Sequence, residues 1–184
     1  MAISDLPDDL PIPEDDGACD HLTGMKMPNI VLRATNNEEV NLGSLNNYTV
    51  IYVYPMTGQP NIPLPGGDRW NAIPGARGCT PQSCSFRDLH DDLKKHAKIF
   101  GLSSQETDYQ QEAKTRLHLP FELLSDTQFL LKQELSLPTF TLDGIERYKR
   151  ITIILQNNII KKVFYPVFPP DQNATDVLNW LENN

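Results

Sequence analysis

The segment YTVIYVYP (48–55) is β-branched or aromatic along nearly its whole length and apolar on both of its faces. Such a strand demands cover on both sides. It therefore places the chain among layered α/β folds with a buried central strand. Pro55 ends the strand, because proline has no N–H to give to a ladder.

The rest of the pattern builds around that strand. NIVLRATNNEEVNL (29–42) reads as a hairpin turning at Asn36-Asn37. Residues 56–78 form a long Gly/Pro-rich loop, and loops above about 12–15 residues are usually functional or disordered. Thr80 as N-cap and Pro81 in the first helical position then open a helix, with Phe86, Leu89, Leu93 and Ala97 at helical spacing. AKIFGLS (97–103) is the next strand. Ser103 and Glu106 have capping-box spacing ahead of a helix reaching about His118. FELL (121–124) is a short strand, and Asp126 caps a helix through Leu135. RITIILQ (150–156) and IIKKVFYP (159–166) form a hairpin across Asn157-Asn158. Asp171 caps a last helix striped with Ala174, Val177, Leu178 and Leu181. The order is a hairpin followed by β-α-β-α-β-α-β-β-α, which predicts a mixed central sheet flanked by helices in a single domain, residues 21–184.

Charge separates the remaining residues from that domain. Of the 24 acids, seven fall in residues 1–20, which hold no Lys or Arg, so the net charge of −8 belongs mostly to this segment. With Pro7, Pro11 and Pro13 and little apolar content, it is expected to be a mobile or loosely docked tail. The body lacks the basic excess that would mark nucleic acid as a partner. The longest dense apolar run is ITIIL (151–155), far short of the ~20 residues of a membrane span. No basic n-region opens the chain, so the expected setting is the cytoplasm, where three cysteines do not read as a disulfide framework.

Two of those cysteines lie five positions apart in ARGCTPQSCS (76–85). A zinc site with His90 and His96 is opposed by geometry: on one helix Cys79 and His90 would lie ~16 Å apart along the axis. No metal and no organic cofactor is expected. Thiol chemistry fits better. Cys79 stands at a helix start, where unpaired N–H groups and the helix dipole stabilise an anion. Cys84, a turn and a half further on, is expected to be more buried and less activated. The asymmetry suggests that Cys79 attacks and Cys84 resolves. Cys19 reads as a solvated bystander, and His21, His90, His96 and His118 as surface or structural residues.

YVYP, GCTPQSCSFRDL, KIFGLSSQ and FELLSD together resemble the peroxiredoxins of the bacterioferritin-comigratory, or Q, type, from about residue 28 to the last helix. The resemblance implies a thioredoxin-like fold and a thiol-dependent peroxidase acting on hydrogen peroxide and organic hydroperoxides. It makes Cys79 the peroxidatic cysteine and Cys84 the resolving one, joined in an intramolecular disulfide that thioredoxin or a similar dithiol reductant opens. The active-site arginine of that family falls on Arg150, with Arg147 and Arg77 as rivals. A monomer or weak dimer is expected. A thioredoxin-like disulfide oxidoreductase, or a non-enzymatic thiol or metal-binding module, is the alternative.

One departure bears on the site. The family pattern has a proline seven and a threonine three residues before the peroxidatic cysteine, and here Ala72 and Ala76 stand there. Pro55 still ends the strand and Thr57 follows it. The expectation is that the long loop bulges outward, that Thr57 folds back to supply the missing hydroxyl, and that Pro55, Thr57 and Arg150 contact substrate. Arg69 and Trp70 are candidates for the pocket rim.

Overall fold

The computed structural model describes residues 6–184. The chain runs β1 (Val31–Ala34), β2 (Glu39–Asn41), β3 (Tyr48–Val53), α1 (Asp68–Ala72), α2 (Cys79–Asp88), α3 (His90–Leu93), β4 (Lys98–Ser103), α4 (Thr107–Leu117), β5 (Glu122–Ser125), α5 (Leu130–Leu135), β6 (Thr139–Leu142), β7 (Ile145–Tyr148), β8 (Ile151–Gln156), β9 (Ile159–Phe164) and α6 (Asn173–Glu182). Seven strands form one sheet in the order β2-β1-β5-β4-β3-β8-β9. The ladders β3–β4 and β4–β5 are parallel; β3–β8, β8–β9, β1–β5 and β1–β2 are antiparallel.

The doubly apolar strand sits where its sequence requires. β3 lies between β4 and β8 and feeds both faces of the sheet. Ile51 and Val53 pack into one core with Leu102, Ile153, Leu131 and Leu135, the last two from α5. Val50, Tyr52 and Tyr54 pack into the other with Phe86 of α2, Leu93 of α3, Leu117 of α4, and Ala174, Val177 and Leu181 of α6. Alternation along one strand thus ties two helical layers to one sheet.

Both expected hairpins form. Asn37, Asn157 and Asn158 take the left-handed conformation that such tight turns need. The carboxylate of Asp126 accepts from the N–H groups of Leu130 (2.8 Å) and Leu131 (3.1 Å), capping α5.

Several expectations are corrected. The helix after the long loop starts at Cys79, with Gly78 rather than Thr80 as N-cap, and it breaks at Leu89 into α2 and α3. Gly78 has φ +113°, which a Cβ would strain, and its amide-bearing turn leaves Pro81 inside the first turn. Ser103 belongs to β4 and does not cap α4, whose N-cap is Glu106. Asp171 lies in a 3-10 turn, Pro170–Gln172, ahead of α6. The hairpin β6–β7 stands apart from the main sheet and was not expected.

Residues 6–20 pack against the body instead of floating. Leu6 and Pro170 close over Gly78, and Pro13 lies against Gly75. Asp16 accepts from the Tyr165 hydroxyl at 2.9 Å and pairs with Lys149 at 3.4 Å. Cys19 is not solvated: it is buried in the core with Leu22, Met27 and Ile30. Among the described residues, no helix is long and apolar enough to cross a membrane.

Candidate active site

Cys79 opens α2 at the carboxyl end of the parallel strands. Its side chain is 3% exposed. Cys79 is one of the residues that line a cavity of about 20 Å³, together with Met56, Gly58, Leu64, Trp70, Arg77, Gly78 and Thr80. That is room for one or two water-sized groups.

The long loop makes the roof. Met56, Trp70 and Ala76 form a small apolar cluster with Leu64, Ile73, Phe140 and Leu142, so the loop leans on the β6–β7 hairpin. Arg69 joins Asp143 in that hairpin through two hydrogen bonds of 2.8 Å each. Trp70 therefore borders the cavity, while Arg69 clamps its cover from outside.

Arg150 comes up beside the sulfur from the start of β8. Its Nη2 donates to Cys79 Sγ at 3.3 Å, to Ala76 O at 3.1 Å and to Arg77 O at 3.2 Å. Its Nη1 donates to Gln82 Oε1 at 2.5 Å. At 3% exposed, the guanidinium sets a fixed positive charge, little screened by water, against a sulfur that reacts as an anion. Of the rival arginines, Arg77 borders the same cavity and its Nη1 donates to Asn71 Oδ1 at 3.3 Å, whereas Arg147 lies on β7 with its Nε buried and unpartnered.

Gln82 was missed in the sequence, yet it anchors the arrangement. Besides receiving Arg150, it donates through Nε2 to Asn173 Oδ1 at 3.0 Å, and that same oxygen accepts from the Thr152 hydroxyl at 2.7 Å. The chain Arg150–Gln82–Asn173–Thr152 thus ties the thiol helix to β8 and α6. Its signal was available: Gln82 lies three residues beyond Cys79 and four before Phe86, a polar residue on the buried stripe of its helix.

Cys84 is half-buried, so Cys79 is the more enclosed of the two, the reverse of the expectation. Burial, with Asp88 nearby, holds the Cys84 thiol above its ordinary value, against the opposing pull of Arg87. Both cysteines are free and both lie in α2. Thr57 is 1% exposed, and its hydroxyl donates to Gln105 Oε1 at 3.4 Å while its N–H donates to the same oxygen at 3.0 Å. Its neighbours Met56 and Gly58 border the cavity, and Thr57 itself does not. Pro55 is buried at the end of β3 and launches the loop. Among the described residues, no group of three or more His, Cys, Asp or Glu is placed to hold a metal.

The model of the redoxin family matches residues 22–178. The chain belongs to the redoxin family. Among curated relatives it is 27% identical over 165 residues to a chloroplastic peroxiredoxin Q of Oryza sativa subsp. japonica and 24% identical over 161 residues to that of Arabidopsis thaliana. These alignments cover 87% and 86% of this chain, and it spans 66% of the length of each relative. Among solved structures, this redoxin is similar to peroxidoxin BcpB of Mycobacterium tuberculosis, with a TM-score of 0.71 and 22% identity over 89% of this chain and 98% of that one. It is also similar to a PrxQ mutant of Xylella fastidiosa, with a TM-score of 0.71 and 19% identity over 89% and 97% of the two chains. These likenesses establish a thioredoxin-like fold, a mixed sheet flanked by helices.

Proposed function

We propose that this redoxin is a thiol-dependent peroxidase of the Q type. The observation that carries the reading is the Arg150 guanidinium 3.3 Å from the Cys79 sulfur, beside a cavity of about 20 Å³. A space of that size admits a hydroperoxide head and little else.

The thiolate of Cys79 attacks one peroxide oxygen. The O–O bond breaks, its electron pair leaves on the other oxygen, and a proton from water turns that oxygen into an alcohol or water. Cys79 is left as a sulfenic acid. The thiolate of Cys84 then attacks the sulfenic sulfur, hydroxide departs and is protonated to water, and a disulfide remains. A dithiol reductant of the thioredoxin kind returns both thiols. Arg150 holds the oxygens and the sulfur in line, and Gln82 holds Arg150. No cofactor enters this scheme.

The disulfide-reductase alternative fits less well. A thiol that must meet a disulfide on another protein needs to stand at the surface, whereas Cys79 is 3% exposed under a roof. The test is stopped-flow mixing of the reduced protein with hydrogen peroxide, followed by turnover with a thioredoxin system. Wild type should consume peroxide rapidly and Cys79→Ser should not. A Cys79→Ser variant that retains the wild-type rate sinks the assignment.

A further inference from the structure

The peroxide step fixes where a substituent must go. In-line attack puts the leaving oxygen beyond the attacked one, on the side away from the sulfur. In hydrogen peroxide that oxygen carries a proton; in an organic hydroperoxide it carries the organic group. The cavity lined by Cys79 measures about 20 Å³, so an organic group has to extend out of it. Of the other lining residues, Met56, Gly58, Trp70, Gly78 and Thr80 are buried, while Leu64 and Arg77 are half-buried. The mouth therefore lies at Leu64 and Arg77, and Trp70 is the largest side chain among the residues that close the rest.

Trp70 is held from several sides. It is 2% exposed, and its ring lies 5.7 Å from that of Phe140 in β6, centre to centre. Leu142 of the same strand comes so close to Gly66 that a Cβ there would stand 2.8 Å away, at a φ of +69° that already favours glycine. Outside, the paired hydrogen bonds from Arg69 to Asp143 fasten α1 to the β6–β7 hairpin. Arg77 Nη1 reaches back to Asn71 of α1. At the start of the loop, Arg116 Nη2 donates to Gly58 O at 2.8 Å. A wall tied at Gly58, Gly66, Arg69 and Asn71 yields little to a bulky group.

We infer that Trp70 is a specificity-determining residue: lining the thiol cavity and backed by Phe140, it admits hydrogen peroxide and hydroperoxides with small substituents and turns away those that carry an aromatic or branched group. The inference rests on the peroxidase reading above and narrows its substrate class.

The experiment compares wild type, Trp70→Ala, Arg69→Ala and Cys79→Ser in the full chain. Second-order rates of peroxide consumption by the reduced protein are read with hydrogen peroxide and with cumene hydroperoxide. Wild type should favour hydrogen peroxide by about a hundredfold or more. Trp70→Ala should cut that preference by about tenfold or more, through a faster reaction with cumene hydroperoxide. The gain separates a removed barrier from a loosened fold, since a disordered site reacts more slowly with both peroxides. Arg69→Ala removes only the outer clamp, whose side chain is 64% exposed, and should cut the preference by about threefold. A wild type that reacts equally fast with both peroxides overturns the inference. So does a Trp70→Ala protein that is folded by circular dichroism and keeps the wild-type ratio, or narrows it only by losing rate with hydrogen peroxide. If Trp70→Ala does not fold, the wild-type ratio in Arg69→Ala overturns the inference in its place. A wild type no faster than Cys79→Ser with hydrogen peroxide overturns the peroxidase reading, a result distinct from these.

Discussion

Arg150 concentrates several duties in one planar fork. It fixes the Ala76 and Arg77 carbonyls, orients against Gln82 and touches the Cys79 sulfur. Arg150→Lys keeps the charge but cannot make those contacts together, so it should lose most of the peroxide rate, about a hundredfold or more. Stopped-flow oxidation would show this, and a rate within threefold of wild type, as an order of magnitude, would take the role from Arg150. Cys19 offers a prediction of the opposite kind. Burial first, then the negative charges of Asp16, Asp15 and Asp20, push its thiol from 9.0 to about 12. The folded protein then holds this proton where the unfolded chain has released it, so the Cys19 contribution makes stability fall as pH climbs from 9 towards 12. Denaturant melts of wild type and Cys19→Ala should diverge in slope across that range and run parallel below it. At this scale the sequence pointed to Cys79 and Cys84 through a thiol at a helix start and to Arg150 through the family resemblance, and the structure brings Arg150 within 3.3 Å of the Cys79 sulfur and puts both cysteines in α2. Gln82 was passed over, although its place on the buried stripe of its helix could be read. A polar side chain on a short helix reads as solvated until the fold shows that its helix is covered on both sides.

The element that must move is α2. Two residues five apart on a helix lie ~8.6 Å apart at Cα, with side chains ~140° apart. A disulfide tolerates only about 4.4–6.8 Å. Joining Cys79 to Cys84 therefore requires α2 to unwind, which breaks the Gln82 contacts to Arg150 and Asn173 and the 3.0 Å Tyr52–Ser83 hydroxyl contact. Hydrogen exchange should show residues 82–88 protected in the dithiol form and exposed in the disulfide form. Equal protection would mean that the two sulfurs meet without unwinding. The start of the same helix depends on Gly78. Gly78→Ala adds a Cβ at positive φ, 2.6 Å from Pro170 Cγ, and should destabilise the reduced protein by at least about 1–2 kcal/mol in denaturant melts. Hairpins marked by paired asparagines were readable in the sequence. The hairpin β6–β7 was not expected, although Asp143-Gly144 between two β-rich tetrapeptides is a turn signal. The break at Leu89 was not readable, because Leu89 continues the apolar spacing and only the packing of α3 interrupts the helix.

On the scale of the whole molecule, composition suggested a mobile or loosely docked tail, and the structure shows residues 6–20 docked on the body. Leu6 rests on Gly78, Pro13 on Gly75, and Asp16 on Tyr165 and Lys149. Composition counts apolar residues but cannot tell that a few of them meet a prepared surface. Asp16→Ala should leave the fold intact while loosening residues 6–18, seen as faster amide exchange there and nowhere in β3 or β4. The seat of Leu6 is the residue just before the helix that must unwind. Closing the disulfide moves that seat, so tail docking and disulfide formation are thermodynamically linked, and each weakens the other by the same factor. Whatever grips or clips the tail therefore shifts the midpoint potential of the Cys79–Cys84 couple. Reduction, in turn, draws the tail back out of reach of a protease.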